Sequence, residues 1–421
     1  MNKTPRVLLS AYQCRPGTES VSLIGWQWYS RLVKHVPVTL VTHIRNREHL
    51  LQAGAPLENS DIIFIDTEWF AAPLYNTVSK LFPTSEHAIF LFASLDFYVY
   101  DWTAVKLLKK RQQAGEHWDI IHSVTPVSPL ASSRLYRLKK PMILGPWNGG
   151  LKSPDNFPSI MKKDYSWLYP IRNLGKGIDW ILGGTRNAAA MLVATKATMK
   201  DIPEKYHDRC VPVIENGVDL TNFTPAPWLP NPSAMQPLRI LFLGRLVPFK
   251  GLPMLLEALA QLKNDYLIEV TIVGTGPMET EWQQEAKNYH VDDMITWYGN
   301  AKREEVVNQL HQHHVLCLPS VRESGGAVLL EAMACARPVI AVAYGGPGEI
   351  VDEAVGYPIA PKGREFVVNE LVKSLKDMFN NPDLWRKRGE EGRKRAESLY
   401  GWDAKVANTV KFYQNILQRS S

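Results

Sequence analysis

The sequence has few cysteines, and their placement argues against a fold stabilised by disulfides or by zinc. Only four occur in 421 residues, at Cys14, Cys210, Cys317 and Cys335. They lie far apart without a C-x-x-C spacing, so neither a disulfide framework nor a zinc knuckle is expected. The pattern fits a protein of a reducing compartment such as the cytoplasm.

Long apolar runs are also missing. The most hydrophobic stretch, 88–100, contains Asp96 and is shorter than the ~20 residues that a membrane-spanning helix needs. The apolar run near the N-terminus is too short for a signal peptide and is typical of a first buried strand. We therefore expect a cytoplasmic protein without a transmembrane anchor.

The charge balance excludes another class of function. A formal net charge of +6 and a pI near 8.9 suit anionic ligands or an anionic membrane surface, but this excess is too small to predict nucleic-acid binding. Basic residues cluster between 139 and 176, interleaved with aromatic residues. This cluster indicates either peripheral contact with a membrane or an acidic ligand, or simply a solvated rim. Its members are Lys139, Lys140, Lys152, Lys162, Lys163, Arg172 and Lys176.

Strand and helix patterns alternate along the whole chain, which predicts an α/β protein with doubly wound parallel sheets. The length exceeds that of one ordinary core, and we expect domains at 1–210 and 211–400 followed by a terminal helix at 401–421. The strands predicted for the first domain are Val7 to Ser10, Val38 to Thr42, Ile62 to Ile65, Ile120 to His122, Met142 to Leu144 and Met191 to Ala194. Those predicted for the second are Val211 to Glu215, Arg239 to Leu243, Glu269 to Val273, Ile295 to Tyr298, Val315 to Pro319 and Pro338 to Ala341.

The most informative motif lies in the second half, at 319–339. Two carboxylates, Glu323 and Glu331, bracket Gly325 and Gly326 between a predicted buried strand and a predicted helix. At such a turn, unpaired N–H groups and the positive end of the helix dipole favour a phosphate. A solvated helix carboxylate is the alternative interpretation for Glu331.

A second motif, LFLGRLVPFKG, places two cations just beyond another predicted strand. Arg245 and Lys250 follow Gly244 at the strand's carboxyl end, where open α/β sheets bind ligands. Two cations held there could neutralise a diphosphate leaving group. Ordinary surface charge is the alternative.

Together, the segments P-S-x-x-E-S-G-G-x-x-x-L-E-A-M-A and G-R-L-x-x-x-K-G resemble the C-terminal signature of retaining glycosyltransferases of the GT4, or group 1, family. The resemblance implies a GT-B fold of two Rossmann-like domains that face a deep cleft. It also implies transfer of a sugar from a nucleotide-diphosphate sugar to a glycan or lipid-linked acceptor in polysaccharide or cell-envelope synthesis. In that family Glu323 would contact the sugar, Arg245 and Lys250 the diphosphate, and Glu331 the ribose.

The N-G-V-D segment around Gly217 resembles the family's domain junction, with an ordinary Asn-Gly turn as the alternative. The segment 10–32 resembles a bacterial polysaccharide subfamily and makes Gly17 a further donor contact. The donor-binding residues implied by the resemblance are Gly17, Gly217, Gly244, Arg245, Lys250, Glu323, Ser324, Gly325, Gly326, Ala327, Val328 and Glu331.

Two further motifs bear on the first domain. WDIIHSVTPVSP resembles a strand end that supplies an active-site histidine, so His122 is a candidate catalytic residue. Val124 stands where many relatives have a second histidine, and a buried structural histidine is the alternative for His122. GPWNGG resembles the glycine-rich loop after the next strand, which implies acceptor-side roles for Asn148, Gly149 and Gly150.

Other interpretations stay open at this stage. The G-x-G-P text at 274–277 is a weak dinucleotide fingerprint because its third glycine is missing. His311, His313, His314 and Cys317 suggest zinc, but their donors would not converge easily. The sequence also has no Asp-x-Asp pair, so we expect no metal and no cofactor. A phosphorylase, a hydrolysing epimerase or a non-catalytic carbohydrate-binding protein would share much of this text.

Overall fold

A computed structural model of the chain describes residues 4–17, 21–81, 95–149, 151, 154, 156–158 and 177–420. These residues form two compact units. The first contains the described residues of 1–150, 169–215 and 405–421, and the second contains those of 151–168 and 216–404. The chain therefore leaves the first unit after Glu215 and returns to it at Lys405.

The first unit is built on a seven-stranded parallel sheet with the order β3-β2-β1-β4-β5-β6-β7. Its strands are β1 Val7–Ala11, β2 Val38–His43, β3 Ser60–Ile65, β4 Ile120–Thr125, β5 Met142–Trp147, β6 Ala190–Val193 and β7 Cys210–Pro212. Every residue of β1, β2, β4 and β5 is buried, as expected for parallel strands covered on both faces. Sequence order reverses between β1 and β4, where open sheets of this type bind ligands.

Helices connect these strands and cover the sheet. They are α1 Val21–Leu32, α2 Arg47–Gln52, α3 Glu68–Leu81, α4 Leu95–Gln113, α5 Gly184–Asn187 and α6 Lys196–Asp201. Short 3₁₀ turns occur at Ile44–Asn46, Leu135–Leu138 and Glu204–Arg209.

The second unit repeats the design with six parallel strands in the order β10-β9-β8-β11-β12-β13. The strands are β8 Leu238–Leu243, β9 Ile268–Val273, β10 Ile295–Gly299, β11 Val315–Leu318, β12 Val339–Val342 and β13 Gly356–Ile359. Their core is dominated by aliphatic side chains of β8, β9, β11 and the helix that follows β8. The switch in strand order falls between β8 and β11, so the loops after these two strands are neighbours.

The helices of the second unit are α7 Leu252–Leu262, α8 Glu279–Asn288, α9 Arg303–Gln312, α10 Ala327–Ala334, α11 Gly346–Ile350, α12 Arg364–Asn380 and α13 Pro382–Arg395. A π-helical turn at Ala396–Tyr400 precedes the last helix, α14 Trp402–Ser420. Within the ranges that the structure describes, no helix is long and apolar enough to cross a membrane.

Eleven of the twelve predicted strands occur in the predicted sheet, with ends that differ by one to three residues. The prediction that Val211 to Glu215 forms a strand of the second domain was wrong. The strand there is β7, Cys210–Pro212, and it pairs with β6 at the edge of the first sheet. A short apolar segment carries no information about which sheet it joins, because strand pairing is a tertiary contact.

Candidate functional site

The strongest site is built where β11 ends and α10 begins. After Leu318 the chain turns through Glu323, and the helix starts at Ala327. Gly326 is the N-cap residue with φ of 60° and ψ of 36°, a left-handed conformation that glycine adopts at little cost. The free N–H groups of a helix start therefore lie at the carboxyl edge of the sheet, as predicted.

The backbone of Glu323 is held from the neighbouring loop after β12. The Gly346 N–H donates to the Glu323 carbonyl at 2.9 Å, and Glu323 forms a parallel bridge with Gly345. A Cβ on Gly345 would lie 2.2 Å from that carbonyl oxygen, so only glycine permits this approach. The position of Glu323 is thus fixed by main-chain contacts rather than by its own side chain.

The side chain of Glu323 forms an ion pair with Lys250. Lys250 ends the 3₁₀ turn Pro248–Lys250, which follows β8, so the pair joins the two loops at the switch point of the sheet. Only 14% of the lysine side chain and 16% of the glutamate side chain are exposed. The second glutamate oxygen, Oε1, accepts from the Gly326 N–H at 3.4 Å.

Lys250 extends over the end of β8. A Cβ built on Gly244 would lie 3.5 Å from Lys250 Nζ, which places the ammonium group directly beside that glycine. Arg245, the next residue, is exposed, and no hydrogen bond or ion pair joins its guanidinium to any residue that the structure describes. The Lys250 ammonium group is therefore paired with a carboxylate, whereas the Arg245 side chain is exposed.

The remaining predicted donor contacts of this unit share one turn. Ser324 is exposed, Gly325 is buried, and Ala327, Val328 and Glu331 are half-buried. They lie with Lys250 around the start of α10. A helix start beside a cation is an arrangement that can bind a phosphate.

Comparison with known proteins agrees with this geometry. Residues 230–395 match the family model described as "Glycosyl transferases group 1", and that range contains Arg245, Lys250, Glu323 and Glu331. Most of the second unit is therefore similar to group 1 glycosyltransferases. This match agrees with the resemblance of the two motifs, while the GT4 assignment and the retaining mechanism stay predictions.

Two curated relatives show similarity that extends beyond the domain. An uncharacterized glycosyltransferase of Methanocaldococcus jannaschii is 26% identical over 277 residues, which cover 63% of this chain and 71% of the relative. A D-inositol 3-phosphate glycosyltransferase of an Arthrobacter species is 27% identical over 324 residues, or 73% of each chain.

Solved structures match the whole chain in fold. A glycosyltransferase from Rickettsia africae aligns with a TM-score of 0.63 at 18% identity and covers 99% of this chain and 100% of its own. HepE from Anabaena, solved in complex with UDP, aligns with a TM-score of 0.61 at 14% identity, covering 97% of this chain and 100% of its own. The two Rossmann-like sheets and these neighbours identify the fold as GT-B, as predicted.

In the first unit the surroundings of His122 favour the alternative interpretation, a buried structural histidine. This residue lies on β4 and is fully buried. Its Nε2 contacts the Gly145 carbonyl oxygen at 2.7 Å, and its Nδ1 contacts the Tyr413 hydroxyl at 2.5 Å. Because a carbonyl only accepts, Nε2 carries the proton and Nδ1 accepts from Tyr413. Burial lowers the pKa of His122 to about 4, so the ring is neutral and both nitrogens are occupied. These contacts support a structural role for His122, and its contact with a sugar stays a prediction.

The loop after β5 has a framework that the sequence did not reveal. Asn148 Nδ2 donates to Glu215 Oε1 at 2.5 Å, and Lys405 Nζ donates to the Ile214 carbonyl at 2.6 Å. Glu215 is 4% exposed and Lys405 is 5% exposed. Burial lowers the pKa of Lys405, and the charge of Glu215 opposes this shift. These groups fix Asn148, a predicted acceptor-side residue.

The position of Lys405 carried a signal that could have identified this cluster. It stands on α14 one turn before Thr409 and two turns before Tyr413, both of which are buried. A lysine at that spacing lies on the buried face of its helix and needs a partner there. Glu215 had no comparable signal, because it lies in an irregular segment.

A second buried network in the first unit joins the carboxyl ends of β1, β2 and β3. Asp96 accepts from the hydroxyls of Tyr12 at 2.6 Å and Thr67 at 2.7 Å, and Thr67 contacts His43 Nε2 at 2.8 Å. Asp96 is 1% exposed. The lone carboxylate in an otherwise apolar segment was the sequence signal for this network, which positions the carboxyl edge of the first sheet.

Other predicted residues have different outcomes. Gly149 exchanges hydrogen bonds with Thr198, at 3.0 and 2.8 Å, and Gly17 is exposed in the loop after β1. Gly217 gives room to the Trp402 indole, which would lie 2.7 Å from an added Cβ. Gly150 and five of the predicted basic residues lie outside the described residues, namely Lys152, Lys162, Lys163, Arg172 and Lys176. The donor and acceptor roles of these glycines stay predictions.

The histidines near Cys317 have separate partners. His311 contacts the Thr224 carbonyl, His313 the Gln309 carbonyl, and His314 the Pro230 carbonyl. Within the described ranges no three histidine, cysteine or acidic side chains are grouped as metal ligands.

Proposed function

We propose that this protein is a retaining GT4 glycosyltransferase that moves a hexose from a nucleotide-diphosphate sugar to a hydroxyl of a glycan or lipid-linked acceptor. The observation that carries the proposal is the convergence of Lys250, Glu323 and the N–H groups at the start of α10. A family-model match over the same residues supports it. HepE, a neighbour in fold, binds UDP, which supports a uridine nucleotide as the first donor to test.

Bond cleavage at the anomeric carbon places negative charge on the departing diphosphate. Lys250, the exposed Arg245 and the N–H groups between Ser324 and Val328 are arranged to stabilise that charge. Glu323 would accept hydrogen bonds from sugar hydroxyls, and Glu331, in the second turn of α10, would hold the ribose. The diphosphate would accept the proton of the incoming hydroxyl, so that the new bond forms on the same face and configuration is retained.

In this proposal the reaction needs no metal ion. Two cations and a helix start supply the positive charge that Mg²⁺ provides in enzymes that chelate the diphosphate through paired aspartates. Addition of a chelator should therefore leave turnover unchanged, and a loss of turnover restored by Mg²⁺ would contradict this part of the proposal.

The acceptor side is assigned to the first unit. Asn148 and Gly149 lie at the end of β5, where hydrogen bonds to Glu215 and Thr198 hold the loop in place. We propose that this loop, including Gly150, contacts a glycan acceptor in polysaccharide or cell-envelope synthesis. A cytoplasmic location with peripheral contact to an anionic membrane would give the loop access to lipid-linked acceptors.

The test has two stages. Thermal-shift screening against UDP, GDP, ADP, CMP and dTDP identifies the nucleotide, because a ligand that binds the folded state raises its melting temperature. The matching nucleotide sugars are then incubated with the full chain, and release of nucleoside diphosphate is measured. Lys250→Met should abolish release, while Arg239→Met, at the opposite end of β8, should not.

Two results would contradict the proposal. No melting shift with any of the five nucleotides would remove the donor site. Sugar release that depends on inorganic phosphate rather than on a nucleotide would indicate a phosphorylase, and epimerisation of a nucleotide sugar without an acceptor would indicate an epimerase.

A further inference from the structure

The carboxylate of Glu323 occupies the two groups that the proposed function assigns to the diphosphate. One oxygen pairs with the Lys250 ammonium group, and the other accepts from the Gly326 N–H at 3.4 Å. A cation and a helix-start N–H group are the features that recognise a phosphate oxygen. Glu323 is therefore an internal anion seated in an anion site.

The pair with Lys250 is largely removed from water. Both side chains are more than four-fifths buried, and the Coulomb attraction between two opposite charges rises as the surrounding dielectric constant falls. Lys250 is held beside Gly244 at the end of β8. A diphosphate that enters this position must compete for the ammonium group.

The backbone of Glu323 cannot withdraw to relieve this competition. Its carbonyl accepts from Gly346, and Gly345 packs against it so closely that a Cβ would lie 2.2 Å away. These main-chain contacts hold the backbone of Glu323 but not its side chain, which can change rotamer. A ligand that provides hydroxyl donors for the carboxylate would draw it off Lys250, whereas a ligand without them would not.

We propose that Glu323 is a specificity-determining residue that competes with the diphosphate for Lys250 and the Gly326 N–H. This inference rests on the proposed function. A nucleotide sugar supplies hydroxyl groups for the carboxylate and thereby frees Lys250 for the diphosphate. Once the sugar has been transferred, Glu323 pairs with Lys250 again and weakens binding of the product. The site thus favours the donor over the free nucleoside diphosphate.

Isothermal titration of the full chain with UDP, GDP and ADP tests this inference. For the nucleotide that binds, Glu323→Gln should lower the dissociation constant about tenfold, equivalent to about 1.4 kcal/mol. Glutamine keeps the size of the side chain and an oxygen that can accept from Gly326. The same variant should bind the corresponding sugar nucleotide, UDP-glucose, GDP-mannose or ADP-glucose, no more tightly than the wild type does.

A double-mutant cycle separates competition from general charge repulsion. If Glu323 acts by occupying Lys250, Glu323→Gln should have little effect on nucleotide affinity in a Lys250→Met background. If the carboxylate merely repels the ligand, its removal should improve affinity at least as much without the lysine. Glu349→Gln, on the adjacent helix α11, removes one negative charge from the same unit and should change affinity less than threefold.

The outcomes distinguish the inference from the function on which it rests. Equal or weaker nucleotide binding by a folded Glu323→Gln variant, with the wild type binding normally, overturns the inference and leaves the glycosyltransferase proposal intact. If Glu323→Gln improves nucleotide affinity as much in the Lys250→Met background as in the wild type, the inference is also overturned. If neither the wild type nor any variant binds any of the five nucleotides of the thermal-shift screen, both the inference and the proposed function are overturned.

Discussion

The Tyr413 hydroxyl donates to Nδ1 of His122 over 2.5 Å and joins the last helix to the central strand of the first sheet. Both side chains are fully buried. Tyr413→Phe leaves the imidazole acceptor buried without a partner, which should lower the free energy of unfolding by about 1–3 kcal/mol. Urea denaturation followed by tryptophan fluorescence measures the change. Tyr75→Phe, at a half-exposed position, is the control and should stay within about 0.5 kcal/mol of wild type.

The same histidine predicts how stability depends on pH. Its pKa is lowered from 6.5 to about 4 in the folded chain, so the unfolded chain binds more protons between these two values. The contribution of the neutral His122 to the free energy of unfolding is therefore complete above pH 6.5. It is lost as the pH falls toward 4, by on the order of 3 kcal/mol. Unfolding free energies at pH 7 and pH 5 should differ less for His122→Asn than for wild type. His35→Asn, at an exposed position, is the control and should behave as the wild type does. If His122→Asn shows the same difference between pH 7 and pH 5 as the wild type, His122 is not the group responsible.

The sequence predicted the parts of this molecule that depend on local pattern. Buried strands such as Val315–Leu318 and the glycine turn before α10 follow from apolar runs and helix propensity. Strand β13, Gly356–Ile359, was missed because a glycine and a proline interrupt its apolar pattern. Its place at the sheet edge is set by pairing with β12, which is a tertiary contact.

The sequence pattern could not predict which partners surround individual side chains. His122 sits in a segment that resembles a catalytic one, yet Tyr413 lies 291 positions later and occupies its free nitrogen. Glu215 and Lys405 come together only because the chain leaves the first unit near 215 and returns near 405. The Glu323–Lys250 pair likewise joins loops that are 73 positions apart. Such contacts depend on how elements pack rather than on spacing along the chain.

The two cations of the proposed diphosphate site should both contribute to catalysis. We expect Arg245→Ala and Lys250→Ala each to lower turnover of the active nucleotide sugar by at least ~100-fold, the scale of losing one charge-stabilising group. Arg245 is exposed, so its loss should leave the melting temperature unchanged. Arg239→Ala, at the amino end of the same strand, is the matched control. Steady-state release of nucleoside diphosphate measures the effect, and near-normal rates in both variants would refute the assignment.

The glycine at the start of α11 offers a test of the site's geometry that removes no charged group. A Cβ on Gly346 would lie 2.5 Å from the Ser324 carbonyl oxygen and 2.9 Å from the Gly325 carbonyl carbon. Gly346→Ala should therefore displace the turn between β11 and α10, with the N–H groups assigned to the phosphates, and weaken nucleotide binding at least about tenfold, equivalent to about 1.4 kcal/mol.

Titration calorimetry measures the nucleotide affinity of this variant, and circular dichroism verifies its fold. Gly177→Ala is the control, since among the described residues no atom outside its own helix turn lies within 4 Å of its added Cβ, and it should bind nucleotide as the wild type does. If folded Gly346→Ala also binds with wild-type affinity, the turn between β11 and α10 does not hold the ligand, because a backbone displacement there would otherwise move every N–H group assigned to the phosphates.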